Sequence, residues 1–265
     1  MKERPSFPAR LDLSNPLRPA RAGLAKTGSR PGAHPTTHLS TPMPTPAGDA
    51  DLSAIRRNMV QKLAAQGIGD KPVLAAMATV ERHRFVDSAL VRQAYEDTSL
   101  PIGLGQTISK PGVVTRMLEL LRNGASGKLG RVLEIGTGCG YQAAVLSHLA
   151  TEVYSIERLR GLHEKARDNL RHFRLANVHL LLGDGMLGYP AGAPYAAIIA
   201  AAGGEAVPQA WIDQLAVGGR LVAPVHLPGS RSNEQALMVL DKTASGCKQS
   251  LLEPVLFVPL KSGTE

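Results

Sequence analysis

Val132-Leu133-Glu134-Ile135-Gly136-Thr137-Gly138-Cys139-Gly140-Tyr141 is the stretch that decides the fold. An apolar run ends abruptly in glycines at alternate positions, and a helix-compatible segment follows. Glycine lets the backbone turn sharply and approach a ligand with no side chain in the way. The free N–H groups of the next helix then point at whatever lies there. A dinucleotide fingerprint spaces its glycines as G-x-G-x-x-G. Here the third comes one residue sooner, which favours a ligand carrying a carboxylate over one carrying a pyrophosphate. A tight strand-to-helix turn with no ligand would use the same glycines.

Working outward, residues 131–135, 153–156, 178–182, 196–200 and 220–225 are short apolar runs that predict strands. Helices are expected after Gly140 and over residues 159–173. Continuous apolar strands alternating with helices imply an α/β fold with a doubly wound, mostly parallel sheet. Residues 236–240 and 251–259 predict two further strands that end the sheet with an antiparallel pair. Upstream, Ile55, Met59 and Leu63, then Val73, Leu74, Met77 and Val80, predict two short amphipathic helices separated by residues 67–72.

Two acidic residues fall where such a sheet binds ligands. Glu157 ends the second strand, twenty-one residues beyond Gly136. There an acid accepts hydrogen bonds from ribose hydroxyls in doubly wound nucleotide sites; a helix cap is the structural alternative. Gly183-Asp184-Gly185 follows the third strand. Asp184 either accepts an adenine amine or serves an Asp-Gly turn.

Composition narrows the function. The chain has 265 residues, a formal charge of +8 and a pI near 9.7. Much of the excess lies in residues 1–48, where Lys2, Arg4, Arg10, Arg18, Arg21, Lys26 and Arg30 face only Glu3 and Asp12. That segment is rich in Pro, Ser, Thr and Ala, lacks periodicity, and is expected to be a disordered tail. With no aromatic interleaved beyond Phe7 its charges make no stacking platform, so no nucleic-acid partner is expected. No apolar run reaches membrane-spanning length, and no secretory signal is expected. Cys139 and Cys247 form no bridging framework, which fits a reducing cytoplasm. No zinc or other metal site is suggested. Residues 49–265 are expected to form one domain: helices and a substrate loop over 49–125, a cofactor-binding core over 126–226, and C-terminal strands over 227–265.

Several motifs together resemble the protein-L-isoaspartate O-methyltransferase family, from about Asp51 to the C-terminus. Arg82-His83-Arg84-Phe85-Val86 looks like its segment ahead of the active-site loop. Leu100-Pro101-Ile102-Gly103-Leu104-Gly105-Gln106-Thr107-Ile108-Ser109-Lys110-Pro111 is similar to its signature loop. Residues 132–145, 153–158 and 183–185 match its cofactor, ribose and adenine motifs, and Phe257-Val258-Pro259-Leu260 its C-terminal substrate side. The resemblance implies the Rossmann-like fold of S-adenosylmethionine-dependent methyltransferases, with that compound as cofactor. It implies that Thr107, Ile108, Gly136, Gly138, Gly140, Glu157, Arg158, Asp184 and Gly185 hold the cofactor. It also implies that Gln106, Thr107, Ser109 and Val258 bind substrate, with Ser109 as the catalytic residue.

The implied substrates are isoaspartyl proteins and peptides, whose α-carboxylate would attack the sulfonium methyl group. A carboxylate is already ionised at neutral pH, so no general base is required. Ser109 can donate to that carboxylate; alternatively it caps the helix from Pro111. His83 is expected to be a helix-terminal residue, and Trp211, Met186 and Tyr189 packing groups. The chain departs from the family at Cys139, Ala196 and Ala200, the last two standing where acidic or hydroxyl residues are usual. Rival readings are a same-fold methyltransferase acting on a small molecule or nucleic acid, and a non-catalytic cofactor binder. A cytoplasmic monomer without membrane contact is expected.

Overall fold

The structure, a computed structural model, describes residues 49–227 and 234–265. The expectations for the basic, Pro-rich segment 1–48 lie outside the described residues. The chain enters through two helices, α1 (Asp49–Ala65) and α2 (Lys71–Thr79). α1 buries Leu52, Met59 and Leu63 but leaves Ile55 exposed, so its apolar stripe passes one side of that residue. α2 begins sooner after the break than expected, because Asp70 caps it by accepting the Val73 N–H at 3.0 Å. Asp70 also takes the Nε of the buried Arg122, whose remaining nitrogens donate to the Gly127 and Ala125 carbonyls. This fixes the first helices to the end of α3 (Pro111–Arg122).

Before α3 lies a small hairpin, β1 (Leu100–Gly103) and β2 (Gln106–Ile108). Its tip runs through Gly103, Leu104 and Gly105, all at positive φ. Glycine adopts that conformation freely, whereas Leu104 adopts it at a cost.

The main sheet has seven strands: β3 (Leu129–Ile135), β4 (Ala150–Glu157), β5 (Val178–Leu182), β6 (Tyr195–Ala200), β7 (Leu215–His226), β8 (Gln235–Thr243) and β9 (Gly246–Val255). Their spatial order is β5-β4-β3-β6-β7-β8-β9. The first five are parallel, and β7–β8 and β8–β9 are antiparallel. The doubly wound sheet with an antiparallel end is as the apolar runs require. Helices α4 (Tyr141–Leu149), α5 (Arg160–Leu170) and α6 (Gln209–Gln214) connect the strands. The strand order reverses beside β3, between β4 and β6. Open α/β sheets bind their ligands outside the carboxyl ends of the strands at such a point.

One strand is displaced from its expected position. β9 runs over Gly246–Val255, not residues 251–259. The chain leaves the sheet after Val255 because a side chain substitutes for the neighbouring strand. The Gln235 amide accepts the Phe257 N–H at 2.8 Å and donates to the Phe257 carbonyl at 3.2 Å. Beyond it, Pro259 bridges to Gly203 beyond the end of β6. That route carries Val258 to the same end of the sheet as the glycine loop.

Candidate active site

At the carboxyl ends of β3, β4 and β6 lies a cavity of about 810 Å³. Gly136 (φ +88°) and Gly138 (φ +58°) line it, and the positive φ of both explains why the loop needs glycine. The Gly136 and Thr137 N–H groups bond back to the Ile156 carbonyl at 2.9 and 3.1 Å, which folds the loop onto β4. Gly140 (φ +91°) does not line the cavity. It caps α4, and a Cβ there would lie 3.0 Å from Leu170 Cδ1, so its smallness serves helix packing.

Glu157 is 5% exposed and lines the cavity. One carboxylate oxygen accepts the Gly138 N–H at 2.8 Å; the other accepts the Leu159 N–H at 2.9 Å, at the mouth of α5. It therefore braces the glycine loop and the start of α5 together. Each carboxylate oxygen can accept two bonds, so capacity for ribose hydroxyls remains.

Gly185 lines the cavity but Asp184 does not. Asp184 accepts the Met186 N–H at 2.9 Å and the Gly263 N–H at 2.7 Å, the first being the turn bond expected of an Asp-Gly pair. A Cβ on Gly185 would fall 2.6 Å from Ile135 Cγ2, so only glycine fits. The buried Trp211 donates to the Gly185 carbonyl at 2.8 Å and holds this turn in place.

The loop from β1 to β2 closes another side: Gln106, Thr107, Ile108 and Ser109 all line the cavity, as do Arg158 and Val258. A second cavity of about 420 Å³ adjoins it, and Thr107, Ser109, Ala201 and Val258 line both. Ser109 is half-buried, and its hydroxyl has no hydrogen-bond partner among the described residues. It is not the helix cap. Lys110 occupies the N-cap position without a side-chain bond, and Asp97 accepts the Gly112 N–H at 2.7 Å instead.

Beneath the glycine loop runs a buried polar row that sequence reasoning did not single out. Glu134 is fully buried and accepts from the Ser155 hydroxyl, which also shares a 2.6 Å hydrogen bond with Thr137. Burial pushes the Glu134 carboxyl up to about 8, with the Ser155 and Gln142 dipoles opposing. Gln142 lies close enough to act electrostatically, yet Glu134 Oε1 and Gln142 Nε2 make no bond of good geometry. The available signal was an acid inside an otherwise apolar strand just before the glycines.

Burial likewise pushes the Cys139 thiol up to about 11 and the Tyr141 phenol to about 12. Arg82, also fully buried, lies 4.9 Å from the Tyr141 ring centre and donates through Nε to the Ala94 carbonyl at 2.7 Å. His83 accepts or donates a 2.6 Å bond with Tyr95, away from the cavity lining. Ala196 does not line the cavity, whereas Ala201 and Ala202 give one wall an apolar surface.

The family model for protein-L-isoaspartate(D-aspartate) O-methyltransferase matches residues 54–265. The chain belongs to this family. A protein-L-isoaspartate O-methyltransferase of Methylibium petroleiphilum is 54% identical over 264 residues, covering 98% of this chain and 97% of the relative. The enzyme of that name from Leptothrix cholodnii is 56% identical over 237 residues, 89% of this chain and 83% of its own. A solved protein-L-isoaspartate O-methyltransferase superposes with a TM-score of 0.70 at 29% identity, covering 78% of this chain and 66% of the other. A Plasmodium falciparum structure bearing the same enzyme name, in complex with S-adenosyl-L-homocysteine, gives a TM-score of 0.67 at 23% identity. It covers 78% of this chain and 98% of its own. At that identity it speaks for the fold.

Proposed function

We infer that the chain is an S-adenosylmethionine-dependent protein carboxyl O-methyltransferase that methylates the free α-carboxylate of L-isoaspartyl residues in damaged proteins and peptides. The observation that carries this reading is the shared wall of Thr107, Ser109, Ala201 and Val258 between the larger and smaller cavities. Two reactants, one in each, would meet at the Ser109 hydroxyl.

The larger cavity fits S-adenosylmethionine. Its glycine loop presents backbone at Gly136 and Gly138, Glu157 retains acceptor capacity, and Gly185, packed on Ile135, adds a side-chain-free stretch of wall. When bound, that compound supplies an activated methyl group on a sulfonium. The chain's own residues then have three tasks. Gly136 and Gly138 admit the cofactor's amino-acid end close to the backbone, Glu157 accepts from its ribose, and Gly185 meets its adenine, with Asp184 just outside the lining offering its remaining acceptor sites to the adenine amine. Thr107, Ile108 and Arg158 complete that side. On the other side Gln106, Thr107, Ser109 and Val258 hold the peptide. Ser109 donates to the isoaspartyl carboxylate and aligns it with the methyl group. With the cofactor bound, the carboxylate oxygen would take the methyl group as its bond to sulfur breaks with the electron pair left on sulfur, and the chain's residues would have no proton to move. Alignment is the main contribution asked of the chain, and well-oriented reactants gain about 7–11 kcal/mol from it at best.

The decisive assay is transfer of tritiated methyl from S-adenosylmethionine to an isoaspartyl peptide, with the matching aspartyl peptide as control. Equal labelling of both, or of neither, would refute the reading. We further place the enzyme in the cytoplasm, acting as a monomer and without nucleic acid. Two free cysteines, one buried and one exposed, are consistent with a reducing compartment. Light scattering coupled to gel filtration tests the monomer.

A further inference from the structure

After Pro259 the chain turns back across the carboxyl edge of the sheet. Leu260 N–H bonds the Gly203 carbonyl at 2.7 Å, and Gly263 N–H then reaches the Asp184 carboxylate at 2.7 Å. Arg158 Nε donates to the Gly263 carbonyl at 3.1 Å, and its guanidinium pairs with the Glu265 carboxylate at 2.9 Å. Two backbone bonds seal the join: Glu265 N–H to the Arg158 carbonyl at 2.9 Å, and Arg160 N–H to the Glu265 carbonyl at 2.8 Å. Residues 261–265 thus connect the ends of β5 and β4, with Leu260 tied to the end of β6, and Lys261 and Glu265 line the larger cavity. Their partners Asp184 and Arg158 immediately flank Gly185 and Glu157, the two residues assigned to adenine and ribose.

We propose that residues 261–265 are a strap over the adenosyl end of the cofactor cavity, which orients Asp184 and Arg158 and sets how fast S-adenosylhomocysteine leaves. This rests on the methyltransferase reading above. All five strap residues are exposed, so polar bonds alone hold them, and the ordering entropy of the segment opposes those bonds. Such a segment opens at lower free energy than the packed walls. The Gly263 bond leaves the Asp184 carboxylate an acceptor site on each oxygen, so the strap and an adenine amine are compatible at that residue.

Two variants test the strap in the full chain. One deletes residues 261–265. The other is Gly263→Ala, which strains a backbone at φ +76° while its new Cβ meets nothing within 4 Å. Stopped-flow measurement of S-adenosylhomocysteine release reads the effect. The deletion is expected to speed release by about tenfold, the equivalent of one charge-assisted bond. Gly263→Ala is expected to speed it less. The KM for S-adenosylmethionine should rise while the KM for isoaspartyl peptide stays constant. Unchanged release, or slower release from the deleted protein, overturns the strap. So does a lower melting temperature without ligand when release is unaltered, which would leave only a structural role. If the intact chain fails to bind S-adenosylhomocysteine at all, the methyltransferase reading falls and the strap with it.

Discussion

The glycine loop at residues 136–139 and the hydroxyl loop at residues 106–109 line the same cavity, yet they are built in opposite ways. Around the glycine loop several polar groups already hold protein partners. Glu157 braces two N–H groups, Thr137 bonds Ser155, and the loop bonds Ile156. The hydroxyl loop hangs from a two-stranded hairpin; Thr107 is exposed, and the Ser109 hydroxyl has no partner among the described residues. A side whose bonds are made before the ligand arrives binds one shape well. A side with free hydroxyls accepts many peptides through a single shared group. The difference suits one invariant cofactor and a substrate that differs from one damaged protein to the next.

The sharpest way to break this comparison is at Ser109. Ser109→Ala should cut turnover of an isoaspartyl peptide by about two orders of magnitude, the scale of one preorganised donor. Cofactor affinity by calorimetry should hardly change. The loss is moderated because the carboxylate sheds charge on methylation. Ser109→Asp should be at least as damaging, since it repels the substrate carboxylate. Full activity in either variant would remove the substrate role.

Glu157→Ala attacks the other side and should produce the reverse split. Affinity for S-adenosylhomocysteine should fall by about ten- to a hundredfold, as expected for hydrogen bonds to a charged acceptor at about 1.5–3 kcal/mol. Peptide KM should move little. Because Glu157 also braces Gly138 and Leu159, a modest loss of thermal stability should accompany it. Stability loss with unaltered affinity would leave only the bracing role.

Glu134→Gln should sharpen the picture of the preformed side. The folded protein keeps its proton on Glu134 up to about pH 8, whereas the unfolded chain releases it near 4.5. The native state therefore loses stability as pH rises through that window, by up to about 1.4 kcal/mol per pH unit. Glutamine cannot ionise, so the variant should gain on the parent between pH 5 and pH 8 in denaturant titrations. Parallel stability curves for the two proteins would show that Glu134 is ionised throughout. The smallest effect is expected from deleting residues 1–48, which should leave methyl transfer unchanged in the same assay.

The parallel sheet was legible because its strands are buried on both faces and so appear as apolar runs, with glycine loop and acid in fixed order. What escaped was written in polar contacts between distant residues. Ser109 followed by Lys-Pro looks like a helix cap, but Asp97, fifteen residues before Gly112, makes that bond. The β1–β2 hairpin is too short for a periodic pattern. Apolar residues 256–260 resemble the end of a strand, whereas the backbone of Phe257 is partnered by the Gln235 side chain. Gly140 also packs against Leu170, and Asp184 also accepts from Gly263, contacts that a local motif does not reveal.

The two cysteines make a natural pair for spectroscopy. Cys139 lies inside the glycine loop, 3% exposed on the cavity wall, with its thiol pushed up to about 11 by burial. Cys247 sits exposed at the start of the edge strand β9. A maleimide dye should therefore mark the sheet's outer rim at one position and leave the reaction chamber unlabelled. No cysteine need be mutated to obtain a singly labelled enzyme.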